Sequence, residues 1–183
     1  MTADESISAS TLDVEQQRAI ELCVDKEKRL VSVTGEAGTG KTTIIRHTCD
    51  MLKANDVSFA VAAPTGKAAR RIREATGYPA VTIHKLLEFN KPEIDEETGT
   101  PTSVSGPQRT RGNPLEYDVV IVDEYAMVST ALHRDLVAAL PYKGCLRVFG
   151  DVRQLPPIEN SDLADPTSPF QKCLAMPNTV TLQ

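Results

Sequence analysis

An α/β fold with a mainly parallel sheet is predicted by three observations. Short apolar runs alternate with amphipathic stretches along most of the chain, "DVVIVDE" is apolar enough for a strand covered on both faces, and the glycine-rich turn "GEAGTGKTT" falls between an apolar run and an amphipathic stretch. After a polar start over residues 1–11, expected to be flexible, "LDVEQQRAIELCVDK" carries a helical stripe of Leu12, Ala19, Ile20, Cys23 and Val24. "RLVSVT" reads as a strand feeding the glycine-rich turn, and "TTIIRHTCDMLKAN" as the helix after it, ending near Asn55. "VSFAVAA" is a buried strand and "GKAARRIREATG" a helix closed by Gly77. "DVVIVDE", "STALHRDLVAAL" and "CLRVFGD" continue the alternation as strand, helix and strand. Such sheets place ligands at the carboxyl ends of their strands.

The 183 residues, 40% hydrophobic and 25% charged, suffice for one core, so residues 12–183 are expected to form one domain. Residues 88–113 break the rhythm with three prolines, three glycines and an acidic cluster. Such a segment supplies no core helix or central strand; it is either a surface loop or a small hairpin-like subdomain standing off the sheet. No apolar stretch reaches the roughly 20 residues of a membrane span, and the acidic N-terminus is unlike a signal peptide, so a cytoplasmic protein with no membrane partner is expected. Cys23, Cys49, Cys145 and Cys173 form no C-x-x-C pair and read as reduced core thiols. A net charge of −5 argues against binding nucleic acid through bulk positive charge, although positions 64–91 hold six Lys or Arg against two Glu.

Gly35, four residues, then Gly40, Lys41 and Thr42 is the Walker A spacing. Glycines let successive backbone N–H groups turn inward as a phosphate cradle, and the following helix adds its positive end. Gly35, Glu36, Ala37, Gly38, Thr39, Gly40, Lys41, Thr42 and Thr43 are therefore the candidate ATP-binding residues. Lys41 would reach the β and γ phosphates and the Thr42 hydroxyl would join the shell of Mg2+. Asp123 and Glu124 close an apolar strand as a Walker B pair, the first suited to Mg2+ and the second to deprotonating a water. In "FGDVRQLPPI" the Gln154 amide can donate to a γ-phosphate oxygen and accept from the attacking water, with Pro156 and Pro157 stiffening the turn behind it.

In order, "LDVEQQRAI", "GEAGTGKTT", "APTGKAARRI", "TIHKLL", "VVIVDEYAMV" and "GDVRQLPPI" resemble the Q motif and motifs I, Ia, Ib, II and III of superfamily 1 DNA helicases, closest to the RecD-like and phage Dda-like 5′-to-3′ branch. The resemblance implies a RecA-like motor domain in which Gln16 reads adenine and Pro64, Thr65, Lys67, Thr82, His84 and Lys85 grip single-stranded DNA. It implies duplex junctions as substrates and a strand-separating pin in residues 88–113. It also implies that a second RecA-like domain, carrying motifs IV to VI, is missing after Gln183. The bland alternatives are a solvated helix face for Arg70, Arg71 and Arg73 and a core position for His84. An ATP-binding module without turnover and a small P-loop kinase are the rival functions. Tyr125 departs from the family pattern, which has a small residue after the acidic pair, and Ala126 stands where serine is frequent.

Overall fold

The computed structural model describes residues 12–90, 105–154 and 167–183. The expectations for residues 1–11, for 91–104 of the inserted segment and for the two prolines at 156 and 157 lie outside these residues.

Asp13 opens the first helix, α1 (Val14–Val24), by accepting from the Gln16 N–H, while the Gln16 side chain accepts from the Asp13 N–H, a reciprocal capping box. Strand β1 (Leu30–Thr34) runs into the glycine-rich turn, and Gly40 in the left-handed conformation opens α2 (Lys41–Ala54). Strand β2 (Phe59–Ala63) leads to α3 (Gly66–Thr76), capped by Thr65 and closed by left-handed Gly77. Then come β3 (Ala80–Thr82), the one-turn α4 (Ile83–Leu86), β4 (Val119–Val122) and a 3-10 turn at Tyr125–Met127. Helix α5 (Thr130–Ala139), β5 (Cys145–Gly150), α6 (Pro169–Leu174) and β6 (Thr179–Thr181) follow among the described residues.

All six strands pair in parallel in the order β3-β2-β4-β5-β1-β6. Strands β1, β4 and β5, covered on both faces, supply unbroken buried runs, the pattern expected of a parallel sheet. On one face Ile44, Ile45, Cys49 and Leu52 of α2 pack with Ala19 and Cys23 of α1 against Val31, Val33 and Ile121. On the other, Leu132 and Leu136 of α5 and Phe170 of α6 pack against Val120, Val122, Leu146 and Val148. The four cysteines are free and buried.

The expected helices and strands are all present. The sequence did not announce β3 and β6, three residues each, and motif Ib lies on a strand–helix junction rather than after a loop. The described ends of the inserted segment are tied together. The Asn90 side-chain oxygen accepts from the Gly106 N–H at 2.8 Å, and the Leu87 carbonyl accepts from the N–H groups of Gln108 and Arg109. Beyond them, Thr110 and Asn113 form an isolated antiparallel bridge. No helix among the described residues is long and apolar enough to cross a membrane.

Candidate active site

The glycine-rich turn begins where β1 ends, and its backbone is set by three contacts. The Gly35 N–H donates to the Gly150 carbonyl on β5, the Thr39 N–H to the Glu36 carbonyl and the Ile44 N–H to the Gly40 carbonyl. Gly38 and Gly40 hold φ values of 91° and 87°, a region costly for residues with a Cβ. Lys41 folds back over the turn and donates from Nζ to the carbonyls of Gly35 at 2.6 Å and Glu36 at 2.7 Å. Its charge is thereby parked on two neutral acceptors, which an anion can displace. Gln16, from the first turn of α1, donates to the Thr39 carbonyl at 3.2 Å. A side chain on Gly40 would collide with the Gln16 amide, so the absent Cβ leaves room for that amide over the turn.

Asp123 and Glu124 stand at the carboxyl end of β4. Asp123 is buried, its N–H donates to the Ala62 carbonyl, and its Oδ1 accepts from the Glu124 N–H at 2.8 Å. Burial pushes its carboxyl up to about 6; the Glu124 charge adds to the rise, while that backbone bond, Lys41 and Arg71 oppose it. Glu124 has a left-handed backbone, φ 54° and ψ 39°, and its Oε2 is buried without a hydrogen-bond partner. A buried acceptor left open is costly, and it suits a site built to receive a water or another donor.

The turn after β5 forms the opposite wall. Asp151 Oδ1 accepts from the Arg153 N–H at 2.9 Å, and the Gln154 N–H donates to the Asp151 carbonyl. The side chain of Gln154 is exposed. Arg153 reaches across to Glu36 at 2.5 Å, joining this turn to the glycine-rich one. Together with the end of β6, the two turns line a cavity of about 690 Å³ at the carboxyl edge of the sheet. The glycine-rich turn at the helix start, the displaceable Lys41 and the unpartnered oxygen of Glu124 fit a nucleoside triphosphate, with Thr42 and Asp123 available to a cation.

Pro64 and Thr65 follow β2 and Thr82 ends β3, so motifs Ia and Ib share this edge of the sheet. Thr65 Oγ1 accepts from the Ala68 N–H and Thr82 Oγ1 from the Lys85 N–H, while Lys67, His84 and Lys85 are exposed. His84 is no core histidine; its ring meets Phe89 edge-on at 4.8 Å. Arg70 pairs with Glu74 one turn along α3, the solvated-face geometry.

Several contributors had no sequence signal of their own. Arg153 and Asp151 sit inside a motif valued for its glutamine. Arg71 acts on Asp123 by charge alone, from a helix separated from it by about fifty positions in the chain. Arg147 lies in an apolar strand, and nothing local says that it is buried.

A glycine-rich turn carrying Lys41 after β1, an acidic pair closing β4 on the far side of β5 and a sheet that brings both to one edge define a P-loop nucleotide-binding domain. Residues 16–160 match the model of a family described as an AAA domain, and the chain belongs to that family. It is 40% identical over 134 residues to the ATP-dependent RecD2 DNA helicase of Deinococcus radiodurans, covering 72% of this chain and 16% of that protein. Among solved structures, the Pif1 helicase of Candida albicans superposes with a TM-score of 0.64 at 25% identity, covering 94% of this chain and 40% of that one. Bacteroides Pif1 bound to single-stranded DNA gives 0.54 at 27% identity, covering 81% and 34%. The fold is the RecA-like domain of these helicases, and the chain spans less than half the length of each.

Proposed function

We propose that this chain is the ATP-binding motor domain of an ATP-dependent DNA helicase, with Mg·ATP as its cofactor and single-stranded DNA and duplex junctions as its substrates. The observation that carries the reading is the buried, unpartnered Glu124 oxygen beside Asp123, on the same sheet edge as the phosphate turn. Simple storage of a nucleotide needs no second carboxylate held open at this point.

Lys41 exchanges its carbonyl partners for the β and γ phosphates, and the N–H groups of residues 36–38 and 40–43 bind the remaining oxygens. Thr42 and Asp123 would hold Mg2+, which would supply positive charge to offset the negative charge that builds on the phosphates. Glu124 orients a water and takes its proton at the open carboxylate oxygen, and Gln154 donates to the γ-phosphate. Gln16, fixed 3.2 Å from the Thr39 carbonyl, stands ready to read the base. Pro64, Thr65, Lys67, Thr82, His84 and Lys85 form the track for the DNA backbone, and residues 88–113 serve strand separation from a base clamped at Asn90 and Gly106. A second RecA-like domain supplies the arginines that complete the ATPase site, so residues 1–183 alone bind ATP but turn it over slowly. Such a protein works in the cytoplasm of a bacterial or phage-infected cell.

Two substitutions test the assignment. Lys41→Ala abolishes binding of a fluorescent ATP analogue, whereas Glu124→Gln retains it and loses on the order of 10² or more in turnover by the intact helicase. Equal ATP affinity in wild type and Lys41→Ala would overturn the site.

A further inference from the structure

Glu124 holds φ at 54°, a conformation that a residue with a Cβ keeps only when its surroundings enforce it. The next residue is anchored in the core. Tyr125 is fully buried, and it begins the 3-10 turn in which the Met127 N–H returns to the Glu124 carbonyl at 3.0 Å. Its hydroxyl lies 2.8 Å from Nδ1 of His133 on α5, with the two rings edge-on at 6.0 Å. The ring also packs against Phe170 of α6 at 6.2 Å.

Phe170 in turn fills the space above Gly150, the last residue of β5. A Cβ there would lie 2.9 Å from Phe170 Cε1 and 3.4 Å from the Ala126 nitrogen. The turn that follows the acidic pair and the strand end that leads to Asp151 therefore bear on one aromatic ring.

We propose that Tyr125 is a positioning residue for Glu124: its ring is braced by Phe170, its hydroxyl is anchored on His133, and the pair fixes the aim of the carboxylate. The proposal rests on Glu124 being the group that activates water. Packing alone would be served as well by phenylalanine; a hydroxyl on a ring this deep needs a partner, and the partner sits on a different helix. Burial raises the phenol well above its ordinary value of 10, and burial with the Lys172 charge lowers the imidazole from 6.5, so at neutral pH the pair is phenol and neutral imidazole. This suits donation from the hydroxyl to Nδ1, with the ring proton on Nε2. His133 is half-buried and lines an open groove of about 420 Å³ between α5 and α6, so without its partner it can still be hydrated. Losing the hydroxyl in Tyr125→Phe should therefore cost aim rather than folding.

The experiment is steady-state ATP turnover by the intact helicase with single-stranded DNA, together with nucleotide affinity and thermal unfolding. Tyr125→Phe and His133→Leu are each expected to lower kcat about tenfold, with KM and nucleotide affinity within about twofold of wild type. His133→Asn, which keeps an acceptor near the position of Nδ1, is expected to restore kcat to within about twofold. The proposal is overturned if the Phe and Leu variants match wild type. It is equally overturned if their losses follow the unfolding midpoint and His133→Asn fails to rescue. Glu124→Gln, assayed alongside, separates the two levels. Wild-type turnover in that variant removes the water-activation reading and this proposal with it, whereas silence in Glu124→Gln with unchanged Tyr125→Phe and His133→Leu removes only the positioning role.

Discussion

Arg147, in the middle of β5, donates from Nε to the carbonyl of Cys23 near the end of α1 at 2.6 Å. Its other nitrogens donate to the carbonyls of Lys28 at 2.6 Å, Asp25 at 2.8 Å and Leu146 at 3.2 Å. The guanidinium thus serves as the C-terminal cap that α1 lacks in its own sequence, since its last turn contains no basic residue. Burial lowers the pKa of the guanidinium, although it stays charged at any working pH.

Arg147→Met should therefore destabilise the domain by about 3 to 5 kcal/mol, because the carbonyls lose the donors of a fully buried guanidinium. Urea unfolding measures this. A loss below about 1 kcal/mol would mean that α1 finds other partners. Because α1 also carries Gln16, the surviving folded fraction should bind nucleotide more weakly.

Gly38 and Gly40 separate backbone strain from collision. Both hold positive φ, but a Cβ at Gly38 meets nothing within 4 Å, whereas one at Gly40 runs into the Gln16 amide. Alanine at position 38 should cost about 1 to 2 kcal/mol through its backbone alone. Alanine at position 40 should add displacement of Gln16 to a similar strain. The measurement is titration of both variants with a fluorescent nucleotide; equal losses of affinity would mean that the contact between Gln16 and Thr39 is irrelevant to binding.

Burial raises Cys23 and Cys49 from 9.0 to about 12, and Cys173 to about 11. At pH 8 these groups remain thiols, and iodoacetamide should label them only after unfolding, as read by intact mass. The sign for stability follows. Below about 9 the folded and unfolded states are equally protonated at these positions, so their contribution is fully present. As pH rises toward about 12 the unfolded chain sheds protons that the fold retains, and stability falls.

The legible parts of this chain were those with a strong local pattern. The buried runs of β1, β4 and β5 and the Walker A spacing depend on neighbours within a few residues, and so they could be read directly. Strands β3 and β6 were not legible, because three residues give too little alternation and their pairing comes from β2 and β1. Arg147 defeats any local reading: a charge within a strand suggests solvent, and its acceptors lie more than a hundred positions earlier except for Leu146. Tyr125 stood out as a departure from the family pattern. That its hydroxyl finds His133 required the packing of α5 on the sheet.

The placement of β1 sets how the chain must acquire its structure. Both neighbours of the strand that carries the phosphate turn arrive late: Leu30 pairs with Leu146, and Ser32 with Thr179. Such separation raises the contact order, and the loop-closure entropy must be met before the central pairings return any stability. During synthesis β1 leaves the ribosome long before either partner exists, so its apolar edges wait unpaired while the rest is made. Nucleotide binding should accordingly appear late and all at once in nascent chains of increasing length, only after β6 has cleared the exit tunnel.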